Sequence, residues 1–154
     1  VGTEETKQGL SELARVTGPG GALTLAVPIR GSFPEFYDIL DEAFRSFQLH
    51  DVLGRMYKLE ESFLTPSLLH DLAQDAALID PVIHEISWEV SFDSGHALLH
   101  SPLVRETFFP HWMKIIRSSD REPILRYVMD AIDTYWHNRD FRCKIVAGCL
   151  TALR

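Results

Sequence analysis

The chain has 154 residues, 45% hydrophobic and 24% charged, with a formal net charge of −7. That length fits one domain that buries a core without metal or disulfide staples, and that composition is ordinary for a globular protein. No apolar run reaches the roughly 18 residues needed to span a bilayer, so no membrane association is expected.

Charge is unevenly spread. Residues 1–100 hold 6 Lys+Arg against 16 Asp+Glu, a net of −10, and residues 101–154 hold 9 against 6, a net of +3. An acidic body argues against direct nucleic-acid binding, which needs phosphate neutralisation. The opening Val1, Gly2, Thr3, Glu4, Glu5 has neither the basic nor the apolar segment of a signal peptide. Only Cys143 and Cys149 are present; read as reduced thiols, they suit an intracellular setting, cytoplasmic or nuclear. The missing initiator Met and the apolar last residues suggest a fragment of a longer protein.

In chain order, residues 3–15 read as a short helix, with Thr3 as N-cap, acidic residues in its first turn, and Leu10, Leu13 and Ala14 on one face. Gly18, Pro19, Gly20 and Gly21 then break regular structure. Leu23, Leu25, Val27 and Ile29 alternate like a strand, but Pro28 is unsuited to a central ladder position, and an extended loop is expected. Residues 1–31 thus form a less regular N-terminal part. Ser32 and Glu35 stand at capping-box spacing before a helix with Phe36, Leu40, Ala43, Phe44 and Phe47 on its apolar face. A further helix follows around Val52, Leu53 and Met56, weakened by Gly54. Thr65-Pro66, Asp80-Pro81 and Ser101-Pro102 each place a capping side chain before a proline, the favoured start of a helix. The stretch after Asp80 is ambiguous: Val82, Ile83, Ile86 and Val90 fit a helix, whereas Ile86, Trp88, Val90 and Phe92 alternate. Its proline-capped start and helical neighbours favour helix, completing a block of acidic helices over 32–100.

The last third, 101–154, reads as three helices with short turns, over about 102–118, 123–137 and 140–154. Pro110 should kink or interrupt the first. Ile124, Leu125, Val128, Met129, Ile132 and Trp136 stripe the second. Asn138 would cap the third, which buries Phe141, Ile145, Cys149 and Leu153. Pro110, Trp112, Ile115, Ile116, Asp120 and the pair Leu125-Arg126 resemble a HEAT/armadillo-type helical repeat over about residues 102–153. The turn is about two residues longer than that pattern, and Met129 and Ile132 stand where the family has small alanines. The resemblance implies an all-α fold, an irregular helical bundle or short α-solenoid of stacked antiparallel helix pairs, forming a single domain over 1–154. It also implies a non-enzymatic scaffold that binds another protein.

No nucleophile elbow, phosphate loop or dinucleotide fingerprint occurs. No catalytic residue, metal or cofactor is therefore expected. On the scaffold reading the partner-binding residues are Arg117, Arg121 and Arg126 around one turn, with Trp112, Tyr135 and Trp136 as aromatic anchors. Two alternatives stand beside it. One is a small helical metal-dependent hydrolase using His96 and His100, four residues apart, with His84 or His111 as a third ligand. The other is a purely structural segment of a larger solenoid.

Overall fold

The computed structural model describes residues 3–137 and 139–154. Its elements run α1 (Thr3–Thr17), β1 (Ala22–Pro28), α2 (Pro34–Ser46), α3 (His50–Ser62), α4 (Pro66–Asp75), β2 (Ile79–Phe92), α5 (Gly95–His100), α6 (Pro102–Thr107), α7 (Phe109–Ile115), α8 (Ser118–Tyr135) and β3 (Phe141–Leu153). The three strands form one antiparallel sheet in the order β1-β3-β2. The fold is therefore mixed α/β, neither an all-α bundle nor an α-solenoid, and the HEAT resemblance is overturned with it.

The physical reason lies in β3. Its apolar residues at 141, 145, 149 and 153 recur every fourth position, which is one face of a helix but also, four being even, one face of a strand. Arg142 and Lys144 are exposed between buried Phe141, Cys143 and Ile145, which is period two. At mid-strand, Ile145, Val146, Ala147 and Gly148 are all buried, as in a central strand covered on both sides. The cap expected at Asn138 lies outside the described residues. β2 replaces the helix expected after Asp80: Pro81 lies near the start of an edge strand, where a missing N–H breaks no ladder. β1 takes Pro28 at its last position for the same reason.

Two compact units divide the chain. The first comprises residues up to Ser32, Ser62–Trp88 and Ile145–Arg154. Here α1 ends in a turn with Gly18 and Gly20 at φ 69° and 77°, a left-handed backbone open to glycine at no steric cost. β1 then pairs with β3 in the register Leu23↔Ala152, Leu25↔Leu150 and Val27↔Gly148. These residues, with Leu10 and Ala14 of α1 and Leu69, Leu72 and Ala73 of α4, make one core, so both helices cover the same sheet face. Gly148 matters to that packing. A Cβ there would lie 3.1 Å from Leu69 and 3.2 Å from Ile29, so the bare backbone lets the helix layer settle on β3.

The second unit, Phe33–Glu61 and Glu89–Lys144, is mostly helical. Trp112 of α7 is its centre: it is buried, stacks on Phe36 at 4.1 Å between centroids, and donates its Nε1 proton to the Tyr37 hydroxyl at 3.0 Å. Phe33 and Phe108 complete the cluster, their rings 4.6 Å apart. Phe33 holds the left-handed φ of 61° just before α2; its buried ring contacts offset a strain of about 1–2 kcal/mol. The interruption expected at Pro110 falls at Phe108, between α6 and α7. The capping box expected at Ser32 and Glu35 does not form. The Ser32 hydroxyl turns to Ile29 and Val146, while Glu35 accepts the Lys144 amide at 3.0 Å.

Candidate functional site

The first unit presents an open sheet edge. The Ile29 amide donates to the Val146 carbonyl at 3.0 Å, in the same antiparallel register as the ladder. Hydrogen-bonded and non-bonded pairs alternate along such a ladder. The amides of Leu23, Leu25 and Val27 therefore face β3, and those of Ala22, Thr24 and Ala26 face outward. No described strand pairs with that side. The segment Ala22, Leu23, Thr24, Leu25, Ala26, Val27 carries no charge to blunt its edge. Part of the sheet face opposite α1 and α4 is exposed as well, although Ile145 and Ala147 of β3 are buried on it. Trp88 and Leu153 there are 45% and 49% exposed, and Val82 and Ile86 alternate onto the same face as Trp88.

At the carboxyl end of β1 the chain turns tightly. Gly31 adopts φ 94°, and the buried Ser32 hydroxyl accepts the Val146 amide at 3.0 Å while donating toward the Ile29 and Val146 carbonyls. The Arg30 amide donates to Leu64 at 2.8 Å. Residues 29–32 are thus held by the backbone on both sides, a rigid loop at the end of an edge strand.

In the second unit, α2 and α3 line a cavity of about 330 Å³ with Tyr37, Asp38, Asp41, Met56, Tyr57 and Glu60. Asp41 accepts from both Arg45 and Tyr57. The Arg45 guanidinium holds the Asp41 carboxyl below the usual carboxylate range, with burial opposing it and the Tyr57 hydroxyl adding to it. Partial burial, reinforced by the charges of Asp38 and Asp41, pushes Glu60 up. Burial likewise pushes the Tyr37 hydroxyl up. The cavity is rich in acceptors and suits a positive group.

The residues singled out from sequence are scattered. Arg117 pairs with Asp120 at 2.9 Å, and Arg126 with Glu122 at 2.7 Å. Arg121 donates to the carbonyls of Met113 and Ile116, closing the end of α7. Arg117 and Arg121 lie at the start of α8 and Arg126 at its middle, while Tyr135 ends the helix about 13 Å beyond Arg126 at 1.5 Å per residue, and Trp136 follows it. Tyr135 donates to Glu42 at 3.1 Å. Trp112 is core. His96 and His100 stack with ring centroids 3.9 Å apart, and the described residues contain no group of three His, Cys, Asp or Glu side chains placed to hold a metal. The expected scaffold binding partners on an all-helical surface does not stand, because the helices flank a sheet, and its helical hydrolase alternative loses its all-helical frame in the same way. The open edge of β1 was not found from sequence, although its signal was there: alternating Leu23, Leu25 and Val27 with small residues between.

No family model matches the chain, and no curated protein matches it. Among solved structures it is similar to the crystal structure of "a putative sarcosine dimethylglycine methyltransferase from Galdieria sulphuraria", at 14% identity and a TM-score of 0.32. The match covers 96% of this chain and 47% of that one, so the chain spans about half the length of that structure. No helix among the described residues is long and apolar enough to cross a membrane.

Proposed function

We propose that this chain is the sheet-closing part of a larger α/β ligand-binding domain, in which a parallel strand of the same protein runs along the free edge of β1. The observation that carries the proposal is the outward row of amides at Ala22, Thr24 and Ala26 on an uncharged strand. α1 leads through a short turn into β1 and packs on one face of the sheet. With a strand of the same protein leading into α1, this arrangement would complete a βαβ crossover, and such crossovers are right-handed in about 98% of cases. β3 occupies one side of β1, so the parallel strand belongs on the other. Mixed sheets of this kind commonly carry an antiparallel strand at the edge of a parallel sheet, with helices on both faces. The exposed apolar residues Val82, Ile86, Trp88 and Leu153 on the other face suit further helix cover there.

Doubly wound domains hold their ligand outside the carboxyl ends of the parallel strands. For β1 that end is the rigid loop 29–32. A small-molecule-binding core, of the kind many enzymes are built on, is the reading this supports. The unpaired Cys143 and Cys149 support a reducing, intracellular setting.

Amide hydrogen exchange tests the proposal. In residues 1–154 alone, the amides of Ala22, Thr24 and Ala26 should exchange quickly and those of Leu23, Leu25 and Val27 slowly. In the full-length protein all six should be slow. Unchanged fast exchange at the three outward amides would refute the added strand. Protection appearing only with a separate protein present would instead make the edge a site of strand addition by a partner.

A further inference from the structure

The second unit contains a smaller cavity, of about 230 Å³, whose lining includes Phe92, Asp93, Asp133, Trp136, Arg139 and Phe141. Phe92 and Phe141 are buried and form an apolar floor. Trp136 packs edge-on against Phe141, with centroids 4.7 Å apart. The Gly95 amide donates to Asp133 Oδ1 at 2.7 Å, which fixes that carboxylate and leaves its second oxygen without a hydrogen bond among the described residues.

The charged side chains of the cavity, Asp93, Asp133 and Arg139, are exposed at its rim. Neither the Arg139 guanidinium nor the Asp93 carboxylate makes an ion pair or side-chain hydrogen bond among the described residues, although both line one cavity. Arg15, Arg45, Arg55, Arg117 and Arg126 take carboxylates within their own helix or turn, whereas Arg139, like Arg105, does not. A guanidinium presents a planar fork that matches a carboxylate, and an indole face beside carboxylates suits an ammonium. The volume also selects. It equals about seven or eight waters at ~30 Å³ each and falls below the ~300 Å³ at which drug-sized pockets begin. A free amino acid is of the right order for that space.

We propose that this cavity binds a small zwitterion, an α-amino acid or an amine-carboxylate of similar size, with the carboxylate on Arg139 and the ammonium among Asp93, Asp133 and the Trp136 face. The proposal concerns the second unit alone and does not depend on the sheet-edge reading.

The test is NMR titration of the full chain with glycine and with L-alanine, following the Trp136 indole N–H signal, which Trp136→Phe assigns. Acetate and methylammonium serve as half-ligands. Both amino acids should give a saturable shift in the millimolar range, tighter than either half-ligand. Arg139→Gln and Asp93→Asn should each weaken binding at least about tenfold, the loss of one charge-assisted contact. Amide signals remote from the cavity report that each variant is folded. The absence of a saturable shift would overturn the proposal. So would acetate binding as tightly as glycine, or equal affinity in wild type and the folded variants.

Discussion

Replacing a helical glycine by alanine ordinarily stabilises a protein by about 0.4–1 kcal/mol, because the unfolded chain loses freedom. At Gly95 the sign should reverse. A Cβ there falls 2.5 Å from the Met129 Cα and 2.9 Å from its carbonyl oxygen, both backbone atoms that no rotamer change can move. α5 must therefore withdraw from α8, and the 2.7 Å bond from the Gly95 amide to Asp133 lengthens with it. Overpacking costs about 1–3 kcal/mol and a hydrogen bond to a charged acceptor about 1.5–3. Less the ordinary gain, the expected loss for Gly95→Ala is about 2–5 kcal/mol. Gly54 in α3 is the internal control: a Cβ there meets nothing within 4 Å, so Gly54→Ala should gain about 0.5–1 kcal/mol. Urea unfolding monitored by circular dichroism measures both, read as midpoint shifts at unchanged slope. A Gly95→Ala protein as stable as wild type would refute the close approach of the two helices.

Trp112 and Glu60 give two further expectations. Trp112→Ala should lose about 3–5 kcal/mol, and Trp112→Phe about 1–3 because the buried Tyr37 hydroxyl then lacks its donor. Urea midpoints decide, and a loss under about 1 kcal/mol for the alanine would deny the indole its central place. Glu60 is pushed up by burial and by Asp38 and Asp41, so the folded state holds its proton more tightly than the unfolded chain does. Stability then falls as pH rises from the ordinary glutamate range through the folded value. Glu60→Gln should raise the melting temperature at neutral pH, with the difference vanishing in acid; an equal gain at both ends would point to another cause.

Some helix starts were legible in sequence, whereas α5, capped by Ser94, was not foreseen. Thr65 caps α4 by accepting from the Leu68 amide, as its place before Pro66 implies. Phe36, Leu40, Ala43 and Phe44 of α2 became core, as their spacing implied, but Phe47 of the same predicted face follows the helix and is 43% exposed. The strands were misread because the decisive facts were not local. A four-residue spacing of Phe141, Ile145, Cys149 and Leu153 serves either period, and only the partners on both sides of β3 settle which applies. Asp80-Pro81 begins an edge strand as readily as a helix, since neither position needs the missing N–H. The cavity at Trp136 joins residues about 40 positions apart, Asp93 and Asp133 among them, and no spacing rule brings them together.

The position of β3 shapes how the chain must fold. The strand that lies between the other two follows both of them in the sequence. Emerging from the ribosome at about 5–20 residues per second, β1 and β2 must wait for a neighbour that has not yet been made. Sequence-distant pairing of this kind slows folding, because the loop must close before any contact rewards it. For those seconds Trp88, Ile86 and the uncharged Leu23–Val27 stretch lie unsheltered, a window in which chaperone binding guards against aggregation. A nonsense mutation that removes β3 makes that exposure permanent, and such a truncated chain is a ready target for cellular quality control.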